Sequence, residues 1–168
     1  PASLASEESP EPPVVIAHML PDLLNLYGDG GNVRILEQRL RWRGIPVEVR
    51  RIQHGEAVDF SQVDLVFMGG GPDREQKLAS EQLLAMRDEL AVYVEGDGPL
   101  LAICGGYQML GSYYRTWDGK QCDFIGAIDY YTVGAKERMI GNTLFECLPE
   151  SGGSTVVGFE NHSGKTFL

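Results

Sequence analysis

A cysteine followed by two glycines is the residue pattern best suited to chemistry in this sequence. Cys104, Gly105 and Gly106 come directly after the apolar run at 100–103 and before a short helical segment. This order predicts a tight strand-to-helix turn whose side chain projects into solvent. The partial positive charge at a helix N-terminus would favour the thiolate, the nucleophilic form of cysteine. Cys104 is therefore a candidate nucleophile, and the alternative is a small buried residue that ends a strand.

A second glycine-rich segment, MGGGPDREQ at 68–76, also ends an apolar run. Converging backbone N–H groups there could hold a phosphate, or the oxyanion formed when a nucleophile attacks a carbonyl. The segment lacks both the Gly-Lys-Ser/Thr ending of a P-loop and the spacing of a dinucleotide-binding loop. A plain strand-to-helix connection with Asp73 capping the helix stays open as the alternative.

A cysteine nucleophile normally needs a histidine to take its proton. The sequence holds three, His18, His54 and His162. His162 lies in the suggestive segment GFENHSGKT, but its spacing does not identify it as a base.

Alternating strands and helices must position these residues. Apolar or β-branched runs at 14–17, 65–68 and 100–103 predict strands, the last two buried on both faces, and the alternation VEVRRI at 47–52 predicts another. Helical spacing predicts helices over about 32–43 and 75–94 and a short one from 107. The order predicts an α/β fold of three layers, a mainly parallel sheet flanked by helices, with ligands beyond the carboxyl ends of the strands. After Trp117 we expect hairpins or short strands.

Composition excludes several classes of protein. The 168 residues carry 14 Lys and Arg against 24 Asp and Glu, a net charge of −10, which disfavours nucleic-acid binding. The length suits one domain of roughly 100–200 residues. The Pro- and Ser-rich residues 1–13 predict a disordered tail, and 14–168 one domain. No apolar run reaches a membrane span of about 20 residues. Three cysteines without framework or metal spacing indicate a reducing cytoplasm and no metal site.

Four motifs together resemble a known family. LNLYGDGGN at 24–32, GGGPDREQ at 69–76, ICGGYQ at 103–108 and GFENHSGKT at 158–166 are similar to the cobyric-acid-synthase-like branch of the class I glutamine amidotransferases. Within that branch they resemble the GatD-type subunits of lipid II isoglutaminyl synthase. The resemblance covers residues 14–168, and the four motifs follow one another in the same order as in the family. It implies a flavodoxin-like fold.

The resemblance implies an activity and a partner. Such a subunit hydrolyses L-glutamine and passes ammonia to a Mur-ligase-like partner of the MurT type in a heterodimer. The partner uses ATP and Mg, so no cofactor is expected in this subunit, and it amidates D-glutamate of lipid II to D-isoglutamine in peptidoglycan synthesis. Another amidotransferase of the branch with a different acceptor, or a non-catalytic binding module, stays open.

The resemblance also assigns roles to residues. Cys104 would be the nucleophile that forms a glutamyl thioester, and Gln108 would position the substrate. The N–H of Gly105 and that of Gly70 or Gly71 would hold the oxyanion. Arg138, in KERMIGN, would bind the α-carboxylate of glutamine, because a guanidinium forms a bidentate charge-assisted pair with a carboxylate.

The expected catalytic histidine is the point at which the sequence departs from the family. The family places it in a later segment resembling YLHGP, whereas this sequence reaches Leu168 just after GFENHSGKT. We therefore expect a chain truncated at its C-terminus, with the base and the third triad member outside it. His162 belongs by motif to the ENH element and is not assigned as the base.

Overall fold

The computed structural model describes residues 11–25, 28–71 and 73–168, with the side chains of Asp73 and Ser151 left aside. Most of the tail expected at 1–13 lies outside these residues. The elements are β1 (Val14–Met19), α1 (Gly30–Arg41), β2 (Val47–Ile52), β3 (Leu65–Met68), α2 (Asp73–Ala85), α3 (Arg87–Glu95), β4 (Leu100–Ala102), α4 (Gly105–Leu110), β5 (Tyr113–Arg115), β6 (Gln121–Asp123), β7 (Tyr131–Glu146) and β8 (Thr155–Phe167).

The first four strands form one parallel sheet in the order β2-β1-β3-β4. Side chains on its two faces enter two separate clusters. Ile16 and Phe67 pack with Val33 of α1 on one face. On the other face, β1 and β3 pack against α2 and α3 through the side chains of Val15, Ala17, Met19, Val66 and Met68. The predicted three-layer α/β architecture is confirmed, and β1 and β3 are buried on both faces because helices cover both.

The single helix predicted over 75–94 is wrong. α2 ends at Ala85 and α3 begins at Arg87, and Met86 between them has φ −113° and ψ 21°, outside the helical region. Leu83 and Leu90 lie on either side of the break and are both fully buried in the same cluster. Their seven-residue spacing fits a continuous helix, so the hydrophobic pattern does not reveal the interruption.

The expectation that β4 is buried on both faces is also wrong. In the described part of the chain β4 is the edge strand of the sheet, and Leu101 is 38 % exposed. An apolar run identifies a strand but not its place in the sheet, and among the described strands β3 alone pairs with β4.

The C-terminal part forms a second sheet in the order β6-β5-β7-β8. Strands were expected there, but not the length of β7, whose 16 residues form a long antiparallel ribbon with β8. The register of this ribbon is interrupted between Gly134 and Met139. α4 connects the sheets: Met109 and Leu110 lie in the main core, and the Tyr130 hydroxyl donates to the carbonyl of Tyr107.

The helices of the described residues are all short. The longest, α2, has 13 residues, and none of them is long and apolar enough to cross a bilayer.

Candidate active site

Cys104 occupies the turn between β4 and α4, as predicted. Its backbone has φ 53° and ψ −113°, a conformation that non-glycine residues seldom adopt and that functional sites often contain. The N–H of Gly106 donates to the carbonyl of Ile103 at 2.9 Å, and that of Gln108 to the carbonyl of Cys104 at 3.1 Å. These bonds close the turn, and the Cys104 side chain is exposed.

The turn is held close to the end of β3 because Gly106 has no side chain. A Cβ on Gly106 would lie 2.7 Å from the carbonyl oxygens of both Met68 and Gly69, closer than real atoms come. The same approach brings Gly70 beside Cys104. A Cβ on Gly70 would lie 3.0 Å from the Cβ of Cys104 and 3.5 Å from its Sγ. The two glycine-rich motifs therefore meet at one place.

The side chain of Asp29 contacts Gly69 and Gly70, the glycines that follow β3. The N–H of Gly70 donates to Asp29 Oδ2 at 3.2 Å, and Asp29 is only 3 % exposed. Burial raises the pKa of the Asp29 carboxyl, although hydrogen bonds from the backbone N–H of Gly70 and of Asp29 itself oppose this. The N–H of Gly70, one of the predicted oxyanion donors, is thus directed to Asp29, and the roles of Gly71 and Gly105 stay predictions.

Gln76 links the two motifs and was missed by the sequence reasoning. Its Nε2 donates to the carbonyl of Gly71 at 2.6 Å, and a Cβ on Gly105 would lie 2.6 Å from the same nitrogen. Gln76 and Asp29 both stand inside motifs noted for their glycines. The feature of the sequence that could have identified them is a polar side chain within the same motif as those glycines.

A cavity of about 460 Å³ borders this region. Both Gln76 and the predicted substrate-positioning residue Gln108 line it. The other lining residues are Lys77, Ser80, Glu81, Leu84, Tyr114, Thr116, Cys122, Asp123 and Phe124. Its volume suits a small ligand. Cys122 is exposed here and makes a second accessible thiol near the site.

Arg138 lies on β7 within the interruption of the ribbon. Its Nε and Nη2 donate to Asn161 Oδ1 at 3.1 and 3.0 Å, and Nη2 also donates to the Asn161 carbonyl at 3.0 Å. The KERMIGN and ENH motifs are therefore in contact. Nη1 makes no hydrogen bond to a described residue, so it can reach a ligand while Asn161 fixes the rest of the guanidinium.

The histidines occupy three different places. His18 is buried in β1, and His54 lies in an exposed turn after β2. His162 lies on β8, with Nε2 3.0 Å from Glu160 Oε2 and Nδ1 3.0 Å from the carbonyl of Gly164. Both ring nitrogens of His162 therefore already face oxygen atoms of its own strand. The contacts thus agree with leaving His162 unassigned as the base.

One family model and several known proteins match this chain. The model of the CobB/CobQ-like glutamine amidotransferase domain matches residues 15–168. The chain is 42 % identical over 154 residues to the lipid II isoglutaminyl synthase (glutamine-hydrolyzing) subunit GatD of Staphylococcus aureus (strain N315), covering 92 % of this chain. The identity is 37 % over 168 residues, 99 % of the chain, for the subunit of the same name from Streptococcus pneumoniae (strain ATCC BAA-255 / R6).

A more distant similarity is to the cobyric acid synthase of Clostridium kluyveri (strain ATCC 8527 / DSM 555 / NBRC 12016 / NCIMB 10680 / K1). It is 29 % identical over 113 residues, which cover 64 % of this chain and 23 % of that protein. The chain spans 62 % and 64 % of the lengths of the two GatD subunits.

The Asp29–Gly70 contact leads to a prediction about stability. Asp29→Ala leaves the buried Gly70 N–H without its acceptor and should lower the free energy of unfolding by about 1–3 kcal/mol. Asp29→Asn keeps an acceptor oxygen and should lose less. Urea denaturation measures both, and an Ala variant as stable as the parent would contradict the assigned role.

The same variants test the raised pKa of the Asp29 carboxyl. A native pKa above the unfolded value means that the native state takes up the proton first as pH falls. The parent should therefore gain stability relative to Asp29→Asn as pH falls through the raised pKa, and the gain should be complete below the ordinary carboxyl pKa. A difference that does not change with pH would contradict this.

Proposed function

We propose that this chain, which belongs to the CobB/CobQ-like glutamine amidotransferase domain family, carries the nucleophile of a glutaminase that supplies ammonia for the amidation of lipid II. The observation that carries the proposal is the exposed Cys104, in a strained turn with Gly70 against it. A strained residue persists where the surrounding structure holds it, and here the strain points a thiol outward beside backbone donors.

The reaction proceeds through a covalent intermediate. The Cys104 thiolate attacks Cδ of the glutamine side-chain amide, and the carbonyl oxygen becomes an oxyanion. The N–H groups of Gly71 and Gly105 stabilise this charge. The C–N bond then breaks, the nitrogen takes a proton and leaves as ammonia, and a glutamyl thioester remains. Water attacks the thioester and releases glutamate and the free thiol.

The proton that leaves the thiol needs a base. By the family resemblance, this is a histidine in a YLHGP-like segment after the ENH motif. His162 is held by Glu160 and Gly164 and acts instead as part of the structure around Arg138. Its neighbour Asn161 fixes that guanidinium.

Substrate recognition depends on the charge of Arg138 and on the cavity lined by Gln76 and Gln108. Arg138 binds the α-carboxylate of L-glutamine through Nη1, a charge-assisted contact to a positioned guanidinium. Gln76 and Gln108, which line the 460 Å³ cavity, offer amide groups to the rest of the substrate. A Cβ on Gly164 would lie 3.3 Å from Gln108 Nε2, so the ribbon that carries Arg138 also contacts α4.

The acceptor is inferred from the relatives. The proteins with 37 % and 42 % identity are named subunits of lipid II isoglutaminyl synthase, whereas the cobyric acid synthase similarity covers less of the chain. We therefore propose lipid II as the acceptor. The cytoplasmic location and the Mur-ligase-like partner that uses ATP and Mg to activate D-glutamate of lipid II are what the family resemblance implies.

The β7–β8 ribbon supports a docked partner. Beyond the interruption of its register it exposes apolar side chains on both strands, and each of the following is more than half exposed: Ile140, Leu144, Phe145, Val156, Val157 and Phe159. In the register of the ribbon, Ile140, Leu144, Val157 and Phe159 share one face, and an exposed apolar face of this kind marks an interaction site. A ligase docked on this face would contact the element that carries Arg138 and, as the family resemblance implies, would receive the ammonia before it escapes to solvent.

The nucleophile is tested by thiol substitution in the full-length protein. Cys104→Ala should lower glutaminase activity by about 10³-fold or more, since covalent catalysis is lost. Cys122→Ala is the matched control, because Cys122 is exposed and lines the neighbouring cavity. It should retain most of the activity, and so should Cys147→Ala. A glutamine-analogue electrophile should label Cys104, and loss of activity in Cys122→Ala would contradict the assignment.

Arg138 is tested through glutamine kinetics. Arg138→Ala should lower kcat/KM for L-glutamine about ten- to hundredfold, because a charge-assisted bond contributes roughly 1.5–3 kcal/mol. Asn161→Ala should give a smaller loss, since the charge remains but is no longer held. Lys136→Ala removes an exposed cation from the same strand as a control. Unchanged kinetics in Arg138→Ala would contradict a role in substrate binding.

Docking is tested by association with the ligase. Val157→Glu and Phe159→Glu should weaken the heterodimer, whereas Trp42→Glu, on a side chain 72 % exposed outside the ribbon, should not. The association rate should fall as salt rises, because the net charge of −10 steers the chain toward basic surfaces. A protein that stays monomeric beside the ligase and still supports lipid II amidation would contradict the proposal. If the apolar side chains of the ribbon are shielded from solvent in the full-length protein without the ligase, another part of the same chain covers them. That result would overturn the docking proposal as well.

A further inference from the structure

A second cavity lies at the carboxyl ends of β1 and β2, beside the start of α1. It has a volume of about 540 Å³ and is separate from the cavity next to the Cys104 turn. The residues that line it are His18, Pro21, Asn25, Gly30, Gly31, Val33, Arg34, Glu37, Val49 and Arg51. None of them has a role in the glutaminase reaction proposed above.

His18 is the unexplained group at this cavity. It is 3 % exposed, and among the described residues its Nε2 has no hydrogen-bond partner. A buried polar atom without a partner costs free energy and therefore calls for an explanation. Burial, reinforced by the charge of Arg51, lowers the pKa of His18, so the ring is neutral at pH 7 and carries one N–H. Nε2 is sealed from solvent, so a ligand in the cavity would contact His18 without bonding to this nitrogen.

Two arginines give the cavity a positive charge in an acidic protein. Arg51 lies next to His18 in the register of β1 and β2, and Arg34 follows directly after the first turn of α1. Both are exposed, and neither forms a salt bridge with a described residue. Glu37 is the lining carboxylate, and its Oε1 is taken by Arg41 at 2.7 Å.

The start of α1 borders the cavity through Gly30 and Gly31. Its first turn contains no acidic residue, and the carboxyl of its N-cap residue, Asp29, accepts the N–H of Gly70. The N–H of Gly30 donates to Asn25 Oδ1 at 2.7 Å, which holds the Asn25 amide beside the cavity. A Cβ on Gly31 would meet no atom of a described residue within 4 Å.

We propose that this cavity binds the phosphoryl group of a small phosphorylated molecule. Arg34 and Arg51 supply charge-assisted donors, and the Asn25 amide supplies a neutral one. The volume lies within the range of small-molecule sites, about 300–1,000 Å³, which leaves room for an organic group beside the phosphate.

Calorimetric titration of the full-length protein with inorganic phosphate tests the proposal. Arg34→Gln and Arg51→Gln should each weaken phosphate binding by about tenfold or more. Arg39→Gln removes an exposed arginine of the same helix that does not line the cavity, and it should bind like the parent. The absence of saturable binding, or equal weakening in Arg39→Gln, would overturn the site.

Two further measurements define the ligand and the location. Phenyl phosphate that binds more tightly than inorganic phosphate would identify a phosphorylated organic ligand, and the reverse order would identify free phosphate. Binding should shift the NMR signals of the His18 ring, and unshifted signals would overturn the location. Cys104→Ala should leave phosphate binding intact, so failure of the glutaminase proposal and failure of this one are distinguishable.

Discussion

The close contact between the start of α4 and the end of β3 is the constraint on which the rest of the site depends. Gly106 lies against two backbone carbonyl oxygens, those of Met68 and Gly69, and no side chain fits between them. Because the helix starts this close to the sheet, the chain between β4 and α4 has almost no length in which to turn. Cys104 takes up the change of direction with its positive φ. The exposure of the thiol and the strain of its backbone thus have one steric cause.

The connection between β1 and α1 serves both sides of the sheet's carboxyl edge. At the end of this connection, the buried Asp29 accepts the Gly70 N–H and so fixes the glycines beside Cys104. In its middle, Asn25 accepts the N–H of Gly30 and lines the basic cavity. Packing makes these contacts interdependent, since Gly69 lies directly against the Leu24 carbonyl and the Asp29 side chain. A ligand in the basic cavity would therefore bind to a segment that also supports the nucleophile.

The second sheet brings a different kind of order. A two-stranded ribbon has little intrinsic stability and usually needs a partner surface. Here the base of the ribbon is anchored by Tyr131, which stacks on both Tyr113 and Phe167, and the distal part exposes its apolar side chains. Arg138 lies between the two parts, where the register breaks. The residue proposed to bind substrate is thus placed where anchored and exposed segments meet.

Local sequence alone determined several elements and singled out the candidate nucleophile. The alternation of VEVRRI gave β2 its bounds, the continuous apolar run at 65–68 gave those of β3, and the Cys-Gly-Gly pattern gave the turn, because each depends on the preferences of neighbouring residues. The family resemblance, which rests on four motifs, then gave these residues their expected roles. The sequence did not reveal the break at Met86, since Leu83 and Leu90 keep the same face across it.

Tertiary structure alone decided which groups meet. The edge position of β4 depends on the pairing of whole strands, which an apolar run does not encode. Asp29 and Gly70 are 41 residues apart, Arg138 and Asn161 are 23 apart, and no local pattern relates their hydrogen-bonding groups. The basic cavity likewise joins Arg34 of α1 to Arg51 of β2 and His18 of β1. Such contacts arise only when the sheet order and the helix packing bring distant segments together.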